Sequence, residues 1–263
     1  MFGAARLEKI KEIVKEKKQI DVSTLSSILS VTEVTVRKDL EKLEQEGFIV
    51  KTHGGAIFND KNVPEMKQNE SLNANNIELY EEKIMIGEIA SYMIKDKDSI
   101  FLGSGTTCYC IAKALRENRN IKINIVTNNL SIANILCDIN NINVILTGGN
   151  LSGQTMALTG EMVQKTLEGI FVDKAFISVS GVHISNGFTV SSTEEMNVYR
   201  TVMNISKELI IVADYSKFDR TSFIKLGAAN IAKRIITNEN IPIEYKAHFF
   251  EQEIQIFTSY EID

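Results

Sequence analysis

The sequence predicts an α/β chain in two parts: a small helical module closed by a hairpin, and a larger domain on a mostly parallel sheet. Three observations predict it. Three successive segments between residues 6 and 43 carry apolar residues at helical spacing, and a glycine turn follows them. Residues 59–76 are polar, with six asparagines and Pro64, and read as a linker. From about residue 99, continuous apolar runs alternate with helical stretches, the pattern of strands covered on both faces. The expected domains are therefore 1–58 and 77–263, joined by 59–76.

Leu7, Ile10, Ile13 and Val14 give the first helix its apolar face. Asp21 is the expected N-cap of the second, on which Leu25, Ile28 and Leu29 share a side. Thr32 opens the third, V-T-E-V-T-V-R-K-D-L-E-K-L-E-Q-E-G, because its hydroxyl can accept from the unpaired N–H groups of the first turn. Val36, Leu40 and Leu43 fall on one side of this helix, and Gly47 is its natural stop. The opposite side carries Thr35, Lys38, Glu41 and Lys42, with Arg37 on the flank. Asp39 lies near the apolar side and is expected in an internal ion pair. The segment F-I-V-K-T-H-G-G-A-I-F then reads as two short strands around a glycine turn.

That order describes a winged helix-turn-helix, whose second motif helix presents polar residues to base edges and phosphates. Thr32, Thr35, Arg37, Lys38 and Lys42 are the candidate DNA contacts on the helix, and His53 is the candidate on the wing. An amphipathic helix with a solvated charged face is the alternative for the helix taken alone.

In the larger part a helix with Ile86, Ile89, Ala90, Met93 and Ile94 on one stripe comes first. Six strands are expected: S-I-F-L, I-N-I-V, I-N-V-I-L, K-A-F-I-S-V, E-L-I-I-V-A and R-I-I. Most run into loops of small polar residues, which gather at the carboxyl edge of an open sheet, where ligands bind. Gly103, Ser104, Gly105, Thr106 and Thr107 form a glycine-rich turn opening a helix, suited to an anion. This turn is neither G-x-x-x-x-G-K-[ST] nor G-x-G-x-x-G, and a purely structural role is the alternative. Thr127, Asn128, Asn129, Gly148, Gly149, Ser180, Gly181 and Lys217 complete the candidate effector site.

Composition bounds the function classes. The net charge is −5, but residues 1–58 hold 10 Lys+Arg against 9 Asp+Glu, leaving 19 against 25 for the remainder. A weakly basic module beside an acidic domain fits a DNA-binding unit with a partner domain. No apolar run reaches the length of a membrane helix, and the first residues lack a signal-peptide pattern. Cys108, Cys110 and Cys137 suit a reducing cytosol, and C-Y-C is not zinc or redox spacing. His53, His183 and His248 are scattered, so no metal, cofactor or catalytic set is expected.

Two sets of residues together resemble one family. V-T-E-V-T-V-R-K-D-L-E-K-L-E-Q-E-G (31–47) followed by T-H-G-G-A (52–56) resembles the N-terminal signature of DeoR-family bacterial regulators. G-S-G-T-T, V-T-N-N, L-T-G-G, D-K-A-F-I, S-G-V and A-D-Y-S-K-F occur in that family's order. The resemblance implies a sugar-phosphate-isomerase-like sensor domain that binds a phosphorylated sugar or related metabolite and modulates repression of sugar uptake and catabolism genes. It implies DNA contacts at Thr35, Arg37, Lys38 and His53, and effector contacts at Ser104, Gly105, Thr106, Thr107, Asn128 and Lys217. The chain departs from the family's common pattern at Gly103, where an aspartate is frequent, at Ser178, often glycine, and at Ser180, often acidic.

The expected protein is a cytoplasmic, homo-oligomeric repressor of double-stranded operator DNA, without turnover. An isomerase-like enzyme with an accessory N-terminal domain is the alternative from another class, and an activator is the alternative within the class.

Overall fold

The structure is a computed structural model and describes residues 3–17, 19–45, 48–52, 54–58, 79–118 and 121–259. The chain divides into two compact units, residues 1–67 and 68–263. The expected helix stop at Gly47, the wing contact at His53 and the linker 59–76 lie outside the described residues.

In the first unit, α1 (Gly3–Lys17), α2 (Val22–Leu29) and α3 (Glu33–Gln45) pack around one core. Ile10, Ile13 and Val14 of α1 meet Leu25 and Leu29 of α2 and Val36, Leu40 and Leu43 of α3. Asp21 caps α2 as expected, accepting from the Thr24 N–H at 2.7 Å. The Ser23 and Thr24 hydroxyls add to that bond and bring the Asp21 carboxyl down to about 2. Ser30, at φ 53°, ends α2 in the left-handed conformation, and α3 begins three residues later. Thr32 Oγ1 accepts from the Thr35 N–H at 3.4 Å. Asp39 makes its internal ion pair with Arg6 of α1, with Nε to Oδ2 at 2.5 Å.

The hairpin is β2 (Ile49–Lys51) and β3 (Gly55–Phe58), antiparallel with Val50 opposite Ile57. A third strand, β1 (Gln19–Asp21), pairs with the other side of β3 and was not expected. Gly55 permits that pairing, because a Cβ there would stand 2.2 Å from the Ile20 carbonyl oxygen.

The second unit is a seven-stranded parallel sheet with helices on both faces. Its strands are β4 (Ser99–Leu102), β5 (Ile123–Thr127), β6 (Ile142–Leu146), β9 (Val172–Ser178), β12 (Ser206–Val212), β14 (Arg234–Ile236) and β15 (Gln255–Phe257), in the order β15-β14-β12-β9-β4-β5-β6. The six expected strands are all present, and β15 is the addition. Helices α4 (Tyr80–Tyr92), α5 (Thr106–Asn118) and α6 (Leu130–Leu136) cover one face through Ile86, Ile111 and Leu136. Helices α7 (Glu161–Leu167), α8 (Thr193–Ile205) and α9 (Ile243–Glu251) cover the other through Leu167, Val202 and Phe249.

After β4 the chain builds outward through β5 and β6, then returns to place β9 on the other side of β4. The order therefore reverses between β4 and β9, and such a switch point opens a crevice at the carboxyl ends of the two strands. Two small antiparallel additions lie outside this sheet: the hairpin β7 (Asn150–Leu151) with β8 (Leu158–Thr159), and β10 (Gly181–His183), β11 (Gly187–Val190) and β13 (Ile224–Gly227). No described helix is long and apolar enough to cross a membrane.

Candidate functional site

In the first unit the described candidate residues of α3 lie off its buried side, which Val36, Asp39, Leu40 and Leu43 form. Arg37, Lys38 and Lys42 are exposed, and Thr35 is half-buried. Thr32 and Thr35 share a hydroxyl–hydroxyl hydrogen bond of 3.0 Å at the start of the helix. Arg37 lies 3.6 Å from Glu33 in an exposed pair one turn apart, worth a few tenths of a kcal/mol and readily exchanged for a phosphate. Lys51 of the hairpin reaches Glu41 at 3.2 Å, linking wing to helix.

The second unit holds a cleft of about 640 Å³ at the switch point. Ser104, Gly105, Thr106 and Thr107 line it from the β4–α5 turn, Asn128 and Asn129 from the end of β5, Ser180 from the end of β9, and Lys217 from the turn after β12. Gly105 has φ 118°, and a Cβ on it would meet Ser178 Oγ at 2.4 Å. The first N–H groups of α5 have no intrahelical acceptor and face the start of the helix, the usual seat of an anion.

Not every expected contact reaches the cleft. Gly103 is buried below it, where an added Cβ would meet Tyr199 at 3.1 Å. Thr127 spends its hydroxyl on the Leu102 carbonyl at 2.7 Å and on the Asn129 N–H at 3.1 Å. Gly148 and Gly149 are turn residues whose Cβ positions would meet Met162 and the Thr159 carbonyl, and Gly181 packs against the Arg220 carbonyl. Asn129 lines the cleft but is saturated. Its Nδ2 donates to Ser104 Oγ (3.1 Å) and the Thr155 carbonyl (2.9 Å), while its Oδ1 caps α6 through Ser131 and Ile132.

Asn128 is different. Its Nδ2 donates to the Leu158 carbonyl at 3.0 Å, which fixes the amide orientation because a carbonyl needs a donor. Its Oδ1 is buried and unpartnered. A buried acceptor without a partner, on a residue that lines a cleft, calls for a donor from a ligand or a water.

Several lining residues were not expected. Lys83 of α4, Ser152, Gln154 and Thr155 of the β7–β8 hairpin, and Glu194 and Glu195 of α8 all line the cleft. Lys83 had a signal: it stands three residues before Ile86 on the apolar stripe of α4, where a lysine is out of place. It is 5 % exposed, and its Nζ lies 3.8 Å from Oδ2 of the fully buried Asp214. That separation makes an ion pair without a hydrogen bond. Asp214 Oδ1 accepts from the Ser216 N–H at 3.0 Å and from its hydroxyl, and so shapes the turn bearing Lys217. Burial pushes the Glu195 carboxyl up, against hydrogen bonds from the Ser191 N–H and hydroxyl. Among the described residues no group of three or more His, Cys, Asp or Glu could hold a metal ion.

Comparison with known proteins fits both units. Residues 6–62 match the DeoR-like helix-turn-helix domain, and residues 78–239 match the DeoR C terminal sensor domain. The chain belongs to the DeoR family. As a DeoR-family chain it is a transcriptional regulator with a DNA-binding first unit and a sensor second unit. It is 35% identical to the uncharacterized HTH-type transcriptional regulator YulB of Bacillus subtilis, covering 94% of this chain and 93% of that one. It is 32% identical to the HTH-type transcriptional repressor GlcR of the same organism, over 90% and 89% of the two chains. The lactose phosphotransferase system repressor of Lactococcus lactis is also 32% identical, over 93% and 94%. These DeoR-type relatives are regulators rather than enzymes. Ribose 5 phosphate isomerase A of Neisseria gonorrhoeae shares 17% identity over 53% of each chain with a TM-score of 0.39, a distance that assigns no activity.

Proposed function

We propose that this DeoR-family regulator represses genes of carbohydrate uptake and catabolism, and that a phosphorylated sugar or related metabolite in the switch-point cleft modulates its hold on operator DNA. One observation carries the effector reading. The cleft joins the α5 N-terminus, the hydroxyls of Ser104, Thr106 and Thr107, and two lysines, Lys83 and Lys217, to Asn128, whose Oδ1 is a buried unpartnered acceptor. The cationic end suits a phosphate, and the acceptor suits a sugar hydroxyl. The relatives' names support the gene class, since one is a lactose phosphotransferase system repressor and another a putative aga operon transcriptional repressor.

In this reading Thr32, Thr35, Arg37, Lys38 and Lys42 face DNA, with His53 on the wing, and residues 59–76 join a 1–58 reader to a 77–263 sensor. The protein works in the cytoplasm as a homo-oligomer, because a two-fold operator matches a two-fold protein. Effector acts by differing in affinity between DNA-competent and DNA-incompetent arrangements; equal affinity would shift nothing.

Calorimetric titration with paired free and phosphorylated sugars tests the proposal, followed by gel shift with the best binder. A phosphorylated form should bind far better than its free counterpart and change DNA affinity. A free sugar that binds as tightly as its phosphate overturns the effector assignment.

A further inference from the structure

The outward face of α3 contains one residue that its charge does not explain. Val34 is 64% exposed, more than any other large hydrophobic residue described in the first unit. At about 100° per residue, it points away from Val36, Leu40 and Leu43, the side chains that anchor the helix in the core. Its neighbours three and four residues on are Arg37 and Lys38, both exposed and both cationic. Val34 therefore sits at the centre of the charged face, in the first turn, at the end of a motif helix that enters the major groove.

Solvation alone does not select an apolar residue at the centre of a charged helix face. Valine is stiff at χ1 and a weaker helix former than the lysine, glutamate or glutamine that such faces usually carry. The exposed apolar residues of the wing, Val50 and Ile57, are register partners across the hairpin, and Ile28 of α2 is less exposed than Val34, at 47%. The major groove presents one apolar group, the C5 methyl of thymine, and apolar side chains are its readers.

We propose that Val34 reads a thymine methyl in the operator half-site, with Arg37 and Lys38 seating the helix beside it. The inference rests on α3 being the DNA-reading helix.

The probe is the tightest duplex selected from a random-sequence library by the full-length protein. Each thymine is then replaced in turn by deoxyuridine, which removes the methyl and nothing else. Wild type should lose about fourfold in affinity at one thymine per half-site, the equivalent of one methyl buried at about 0.8 kcal/mol. Val34→Ala should bind the thymine duplex about that much more weakly and respond little to deoxyuridine at that position. Val34→Thr, which keeps a methyl of similar shape, should retain part of the response. Since Val34 is largely exposed, circular dichroism and sedimentation of both variants should match wild type. A flat deoxyuridine scan in wild type, or an unchanged response in Val34→Ala, overturns the proposal while leaving DNA binding intact. A change in assembly state for Val34→Ala also overturns it, by assigning the residue to a protein interface. Failure to select any duplex overturns the DNA-reading assignment itself.

Discussion

The Nδ2 of Asn128, a residue that lines the cleft, donates to the carbonyl of Leu158 at 3.0 Å, while Oδ1 of the same amide is buried without a partner. One bond therefore orients the side chain and leaves its acceptor for a ligand. Asn128→Ala should weaken binding of the best phosphorylated sugar by about 1–3 kcal/mol, the cost of an unmade bond at a buried site. Removing the matching hydroxyl from the sugar should weaken wild type to the same degree and the variant hardly at all. Calorimetry on the four combinations checks this. Independent, additive losses would place the hydroxyl elsewhere.

Lys83 and Asp214 are charges of opposite sign buried in one place. Asp214→Ala removes the carboxylate beside the buried ammonium and should lower stability by about 3–5 kcal/mol, read by denaturant melts. The Lys83→Met, Asp214→Asn pair removes both charges and should recover most of that stability while binding the sugar phosphate poorly. Full affinity in the folded double variant would show that Lys83 does not meet the anion.

Gly105→Ala meets two obstacles, the φ of 118° and Ser178 Oγ at 2.4 Å from the added carbon. It should cost about 1–3 kcal/mol in backbone strain and displace Ser178 from its 2.8 Å bond to the Ser104 carbonyl. Adding Ser178→Gly should relieve the steric part and leave the strain. Thermal melts of the single and double variants separate the two contributions. A Gly105→Ala protein as stable as wild type would mean that the turn adopts another conformation.

Burial pushes the Cys108 and Cys110 thiols up to about 12, from an ordinary value of 9.0. Both remain neutral in the folded protein at pH 8, and the thiolate is the reactive form. Iodoacetamide at that pH should label exposed Cys137 alone, and all three cysteines after denaturation. Because the folded values are raised, their contribution to stability is complete below about pH 9 and is lost as pH rises toward 12. Melts across pH 8–11 should fall in that range, less so for a Cys108→Ala variant. Labelling of Cys108 in the native state would disprove its burial.

How much of this was legible depends on whether the signal was local. The three helices of the first unit and six of the sheet strands are legible because their apolar spacing or apolar run lies within each segment. Strand β15 is no shorter than β14, but Q-I-F lies at the sheet edge with no buried residue, so it lacks the apolar run that marks R-I-I. The β7–β8 hairpin has only two residues per strand, and both positions of β7 are exposed, so nothing in its pattern separates it from a loop. It nevertheless supplies part of the cleft wall through Thr155. Among the glycines, Gly105 and Gly148 look alike in the sequence. One shapes the cleft and the other supports a turn, and the difference is set by what stands across from each.

Element types, the helix order of the DNA-binding unit and the chemistry at the strand ends are all local properties of the chain. Each rests on residues close together in the chain, such as Asp21 and Thr24, or Ser104 and Thr107. Only the tertiary structure decided which of those groups share a cavity. Sheet order sets β4 beside β9, bringing Ser104 against Ser178 across a separation of 74 residues. Packing of α4 brings Lys83 to Asp214, on elements remote from each other in the chain. Such contacts follow from strand pairing and the burial of apolar faces, which are properties of the whole sheet rather than of any segment within it.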